Sequence, residues 1–293
     1  GAPMRTVTII TNEECTHYAS PGHPERPQRV RATQEFLRAQ TELSLSWTEP
    51  GACPEEALLR AHSPEHLARL DVARDFDVDT AFHEGIGRHA RNAVGASLAA
   101  LKIVGDGGLP FSLMRPPGHH AAPSAAMGFC YLGSMGVTVL EALATGTERV
   151  AVFDFDVHHG NGTEAILVDR PGATFVSVHQ SPCYPGTGLQ DVGDNCFNYP
   201  VRPGLPRDEY RAVLSRAIER VMKVDPQLIG VSAGFDAYAG DPLAQETLLA
   251  EDYLWIGEQL RETGVPIFSI LEGGYSDDLP TLVQAYLQGL ARA

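Results

Sequence analysis

The chain has 293 residues, 43% of them hydrophobic, and sets 22 Lys and Arg against 37 Asp and Glu for a formal net charge of -15. That charge argues against a general nucleic-acid binder, whose phosphate contacts need a basic face, and no apolar run approaches the roughly 20 residues of a membrane span. The length suits one large α/β domain, and no linker, internal repeat or charge block divides it. Gly1-Ala2-Pro3 ahead of Met4 reads as a processing remnant, which leaves 4–293 as a single expected domain. Cys15, Cys53, Cys130, Cys183 and Cys196 form no Cys-x-x-Cys pair, and no signal peptide follows Met4, so the expected setting is a reduced cytoplasm.

In chain order, the Ala-rich stretch from Ala90 to Val104 has helical character, and the apolar run from Phe111 to Met114 reads as a buried strand. Further strands are predicted at Val150 to Phe153 and Phe175 to Val178, and helical periodicity follows from Tyr210 to Val221. A strand at Leu228 to Val231, a helix at Asp252 to Glu262 and a strand at Ile267 to Leu271 complete the alternation. Short unbroken apolar runs are the mark of strands buried on both faces. Their alternation with helices predicts a mainly parallel sheet covered on both sides.

Polar motifs begin where these runs end. They are Arg115-Pro116-Pro117-Gly118-His119-His120, Asp154-Phe155-Asp156-Val157-His158-His159-Gly160-Asn161-Gly162, Ala233-Gly234-Phe235-Asp236 and Leu271-Glu272-Gly273-Gly274-Tyr275. In parallel sheets ligands gather beyond the carboxyl ends of the strands, so motifs distant in sequence are expected to share one crevice. Asp156 and His158 alternate along extended chain and can face one ion. Asp236 offers a third ligand, and two carboxylates with one imidazole leave a position open for water, as in a catalytic metal site. Zinc is the first expectation, with Fe2+ or Co2+ also suited to mixed oxygen and nitrogen donors. The alternative for Asp154, Asp156 and His158 is that they cap the helix that follows.

With these motifs in view, the chain resembles the histone deacetylase superfamily, and within it the class II and bacterial deacetylase or acetylpolyamine amidohydrolase branch. The resemblance runs from His23-Pro24-Glu25-Arg26-Pro27 to Tyr275. It implies the arginase-deacetylase fold, a three-layer α/β/α sandwich around an eight-stranded mainly parallel sheet. It also implies Asp156, His158 and Asp236 as zinc ligands, His120 as general base and acid, His119 as its electrostatic partner and Asp154 as the carboxylate orienting His119. Asn161 stands behind His120 where many class I members have Asp and the class II branch commonly has Asn, so the His120 imidazolium is expected to be less stabilised than in an Asp-backed pair. Tyr275 matches the catalytic tyrosine, Gly128, Phe129 and Tyr184 an acyl-lysine tunnel, and Asp79 a rim carboxylate. Arg26 matches an arginine near an inner acetate-release cavity, with an exposed turn as the alternative, and Ser177 a monovalent-cation site, with K+ expected there.

The resemblance points to acyl-lysine in a peptide or protein as the substrate, or to a small acylated amine. Gly240-Asp241-Pro242 is followed by Leu243, where polyamine-selective relatives tend to have glutamate, and leucine does not stabilise a distal ammonium. Short early loops around His17 to Arg26 predict a wide mouth. Two rivals stand beside an acyl-lysine deacylase and an acetylpolyamine amidohydrolase. A binuclear manganese ureohydrolase would need further bridging carboxylates, and a catalytically silent acyl-lysine or metabolite binder would not need the whole acid–base set.

Overall fold

The computed structural model describes residues 3–292; Gly1, Ala2 and Ala293 lie outside it, and with them most of the remnant and the end of the expected domain. Eight strands form one sheet: β1 (Val7–Ile10), β2 (Leu45–Thr48), β3 (Leu109–Ser112), β4 (Val150–Asp154), β5 (Ala173–Gln180), β6 (Cys196–Val201), β7 (Leu228–Ala233) and β8 (Ile267–Leu271). Their spatial order is β2-β1-β3-β8-β7-β4-β5-β6, and every pairing is parallel.

Nine helices cover the sheet among the described residues: α1 (Gln28–Ala39), α2 (Glu55–Ala61), α3 (Pro64–Arg69), α4 (Ile86–Gly105), α5 (Ser134–Ala144), α6 (Asn161–Leu167), α7 (Arg207–Met222), α8 (Ala250–Glu262) and α9 (Leu279–Ala291). Packing divides most of them into two groups. α4 packs on α5, which also meets α2 and α6, while α7, α8, α9 and α1 pack in succession. With the sheet between them, these make the expected three layers. No helix is long and apolar enough to cross a membrane among the described residues.

The central strands β3, β4, β5, β7 and β8 are buried at every position, which is why they read as unbroken apolar runs. The boundary of β3 differs from the expected Phe111 to Met114, since the strand begins at Leu109 and includes Pro110. Proline reads as a strand breaker in sequence, but the flanking residues still pair with β1 on one side and β8 on the other. β2 and β6 are edge strands with alternating or mixed burial, a weaker signal than a continuous apolar run.

Strand order decides what the carboxyl edge brings together. β8 and β7 lie between β3 and β4, so loops from the chain's middle and its end meet over adjacent strands. Asp154, at the end of β4, lies in register with Ser177 of β5 and Ser232 of β7.

Candidate active site

All four polar motifs fall at the carboxyl edge, as the spacing predicts. Ligand atoms of Asp156, His158 and Asp236 lie within 4.8 Å of one another, and all three residues are buried. His158 Nδ1 is 3.2 Å from Asp156 Oδ1 and 3.0 Å from Asp236 Oδ2. Main-chain N–H groups orient the carboxylates: Gly273 donates to Asp156 Oδ2 at 2.8 Å, and Val157 to Asp236 Oδ1 at 2.8 Å. Gly273 has to be glycine, because a Cβ there would lie 2.3 Å from Asp236 Oδ2 and 2.6 Å from Asp156 Oδ2.

The donor set fits a divalent cation. Burial works against a charged His158, yet its bonds to the Asp156 and Asp236 carboxylates outweigh it and hold its pKa well above the ordinary value. Two carboxylate donors and one imidazole match a mononuclear site with an open position. The capping alternative does not hold, since the N-cap of α6 is Gly160, with no side-chain cap.

His119 and His120 lie in the loop between β3 and α5, their ring centroids 4.1 Å apart. The two are held differently. His119 Nδ1 is 2.9 Å from Asp154 Oδ2. Burial opposes its charge, but the carboxylates of Asp154, Asp156 and Glu272 hold its pKa up at about 10. His120 Nδ1 donates instead to Asn161 Oδ1 at 2.7 Å. Burial, reinforced by His119 and His158, pushes His120 well below the ordinary histidine value. With Nδ1 committed to Asn161, a neutral His120 presents the Nε2 lone pair as its free acceptor.

A cavity of about 280 Å³ opens above these groups, lined by His120, His158, Gly128, Phe129, Tyr184, Asp79, Leu243 and Tyr275, together with His23 and Pro24. The Tyr184 ring stands 5.3 Å from that of His120, and the Phe129 ring 5.8 Å from that of Tyr275. Phe129 has φ 71°, rare for a non-glycine residue, and its N–H is held by Thr80 Oγ1 at 3.1 Å. Asp79 and Tyr184 are exposed and Leu243 half-buried, which places them at the rim. Ser177 is fully buried beneath the floor, its Oγ 2.8 Å from His179 Nδ1.

Arg26 takes the exposed-turn alternative: it lies ahead of α1, is exposed and pairs with the exposed Asp277. The buried arginine of this segment is Arg29. It donates to Gly274 O at 2.6 Å, Glu272 O at 2.7 Å and Glu25 Oε2 at 2.7 Å, and its guanidinium lies 4.8 Å from the Tyr275 ring centroid. Arg115 grips the same Glu25 through both carboxylate oxygens, at 2.8 and 2.9 Å. Asp241, buried near Tyr275, accepts from the N–H groups of Tyr275 at 2.8 Å and Leu243 at 2.9 Å. Glu25, Arg29, Asp241 and Glu272 carry no expected role in the sequence, although all four sit inside or beside its polar motifs. Charged residues flanking Pro and Gly in an apolar setting were the available signal.

Residues 23–290 match the profile of the histone deacetylase domain. The histone deacetylase-like amidohydrolase of Pseudomonas aeruginosa is 35% identical over 283 residues, 88% of this chain and 74% of that protein. Acetylpolyamine amidohydrolase 1 of the same organism is 37% identical over 175 residues, 57% of this chain and 51% of that protein. The solved HDA15 HD domain superposes with a TM-score of 0.90 at 30% identity, covering 98% of this chain and 89% of that one. An all-parallel eight-stranded sheet, a buried Asp-His-Asp cradle and a match across nearly the whole chain agree, and the protein is a hydrolase of the histone deacetylase family.

Proposed function

We propose that the protein is a metal-dependent deacylase that hydrolyses the amide of an N-epsilon-acyl-lysine side chain. One observation carries the reading: His158 of the buried Asp-His-Asp donor set, a histidine with its Nε2 free and a tyrosine line one cavity. Zinc, or alternatively Fe2+ or Co2+, held by Asp156, His158 and Asp236 would polarise the amide carbonyl and lower the pKa of a bound water to about 7.

The chain's own groups supply the proton traffic. Asn161 fixes the His120 tautomer, and burial keeps that ring neutral near pH 7, so His120 accepts the proton of the attacking water at Nε2. It then returns a proton to the departing amine nitrogen, which must leave protonated. Tyr275 stays protonated because burial raises its pKa, and its hydroxyl donates to the oxyanion as the carbonyl carbon becomes tetrahedral. Asp154 holds His119 beside this path.

Phe129 and Tyr184 suit a methylene chain, which they hold by contact area. Asp79 offers its carboxylate at the rim to main-chain N–H groups of a peptide. Leu243 offers no charge to a distal ammonium, which favours acyl-lysine over a polyamine. Acetylpolyamine hydrolysis is the second reading, favoured by the likeness to the Pseudomonas enzyme of that name. Ser177 belongs to a K+ site in this reading, and the five unpaired cysteines accord with a cytoplasmic setting.

The deciding test is hydrolysis of a panel of acyl-lysine peptides beside acetylated putrescine and spermidine, with zinc-loaded protein and a chelated control. Chelator-sensitive turnover on the peptides with poor turnover of the polyamines supports the reading. Faster turnover of polyamines replaces it with the second, and no turnover on either series removes both.

A further inference from the structure

We infer that Glu272 is a positioning residue for the proposed reaction, its carboxylate setting the main chain of the tandem-histidine turn and so the reach of His120. The inference rests on the deacylase reading for its consequence in rate, and on geometry alone for the clamp.

Glu272 follows β8 directly and is 1% exposed. Its Oε1 accepts from two successive main-chain donors, Gly118 N–H at 2.9 Å and His119 N–H at 3.1 Å. Its own N–H donates to Ala233 O at 2.8 Å, at the end of β7, and its carbonyl accepts from Arg29 at 2.7 Å. One residue thus joins the ends of β7 and β8, helix α1 and the loop after β3.

The other side of the turn is closed by backbone. A Cβ on Gly118 would lie 2.6 Å from Leu132 O and 2.9 Å from Ser134 N, so the turn is pressed between that segment and Glu272. Without the carboxylate, two buried N–H groups would be orphaned, and the turn would move to find other partners. Movement there carries both imidazoles, since His119 and His120 follow at once, and it breaks the register of His120 Nδ1 on Asn161. Tyr275 lies three residues beyond Glu272, so the same side chain sets the separation of His120 from the tyrosine.

A merely space-filling role would be met by an apolar residue, because burying a carboxylate costs several kcal/mol. Here the side-chain bonds go to main-chain N–H groups of the catalytic turn. The second oxygen, Oε2, is buried without a hydrogen-bond partner among the described residues, so the bonds to Gly118 and His119 are those this carboxylate makes.

Three variants test this: Glu272→Gln keeps an oxygen acceptor at the same reach, Glu272→Met removes it at similar length, and Glu272→Asp keeps the charge but draws it back. The readouts are kcat and KM on the best substrate of the panel, metal content, and the His120 Nδ1–H resonance in protein labelled with 15N-histidine. Since a displacement of about 1 Å can cost about 10²-fold in rate, Glu272→Met should lose about that in kcat and Glu272→Asp about tenfold, with metal content and KM little changed. Glu272→Gln should retain most of the activity and the His120 resonance, which the other two should shift or broaden. Glu272→Met or Glu272→Asp with unchanged kcat and an unmoved resonance would overturn the inference. So would a Glu272→Gln variant as impaired as Glu272→Met, which would assign the effect to charge. If Glu272→Met does not fold, Glu272→Asp against Glu272→Gln decides. If wild-type protein hydrolyses no acylated amine, the deacylase reading fails and the resonance still judges the clamp.

Discussion

The floor of the cavity holds its polar groups by main-chain hydrogen bonds, whereas the rim leaves them largely to solvent. Asp156, Asp236, Glu272 and Asp241 each accept from N–H groups of loops on other strands or helices, so their positions are determined by the fold. Asp79 is exposed, Tyr184 is 41% exposed and Leu243 is anchored only through its own loop's Asp241. In the proposed reaction the over-determined floor would carry the chemistry and the rim the choice of substrate. Floor substitutions should therefore act on kcat or on folding, and rim substitutions on the ranking of substrates.

The largest effect is expected at the metal cradle. Asp236→Asn should abolish chelator-sensitive turnover and lower bound metal below one ion per chain, checked by elemental analysis beside circular dichroism; full activity would break the assignment of the cradle. Beneath the floor, Glu25→Gln strands two buried guanidiniums and should cost about 3–5 kcal/mol of stability in denaturant unfolding. Burial disfavours the Glu25 carboxylate, but Arg115 and Arg29 outweigh it and hold its pKa below the usual range. A depressed folded-state pKa means that the stabilisation is complete above the unfolded value of about 4.3 and is lost as pH falls through the folded value. The gap between wild type and variant should accordingly narrow in strong acid.

Tyr275→Phe should reduce kcat by about 10² to 10³ with bound metal unchanged, in steady-state assays of the panel's best substrate. An undiminished rate would remove the oxyanion role. Asn161→Asp sets a carboxylate behind His120 and should raise the pKa of that ring by favouring its charged form. The base works only when neutral, so the acidic limb of the kcat/KM profile should move to higher pH. The smallest effect belongs to the rim: Leu243→Glu should favour acetylated spermidine over acyl-lysine by severalfold, on the scale of about 1 kcal/mol for an exposed ion pair. A fall in kcat for both substrates alike would blur the distinction between floor and rim.

How far the sequence can be read follows the same physical division. The central strands and the four motifs were legible because burial on both faces leaves an unbroken apolar run, and the motif starts where that run stops. Edge strands β2 and β6, half-solvated and mixed in pattern, carry no such mark. Arg26 and Arg29 show the limit around one motif, since both are arginines near Pro27, and Arg26 stays outside α1 while helix phase turns Arg29 inward.

By itself the sequence determined which donors exist and that each stands just past a strand, since side-chain chemistry and strand ends are local properties of the chain. Tertiary structure decided that β7 and β8 lie between β3 and β4, and hence that Glu272 reaches the His119 turn and Asp236 meets His158. Strand order is set by packing between segments far apart in the chain. No local pattern of residues records it.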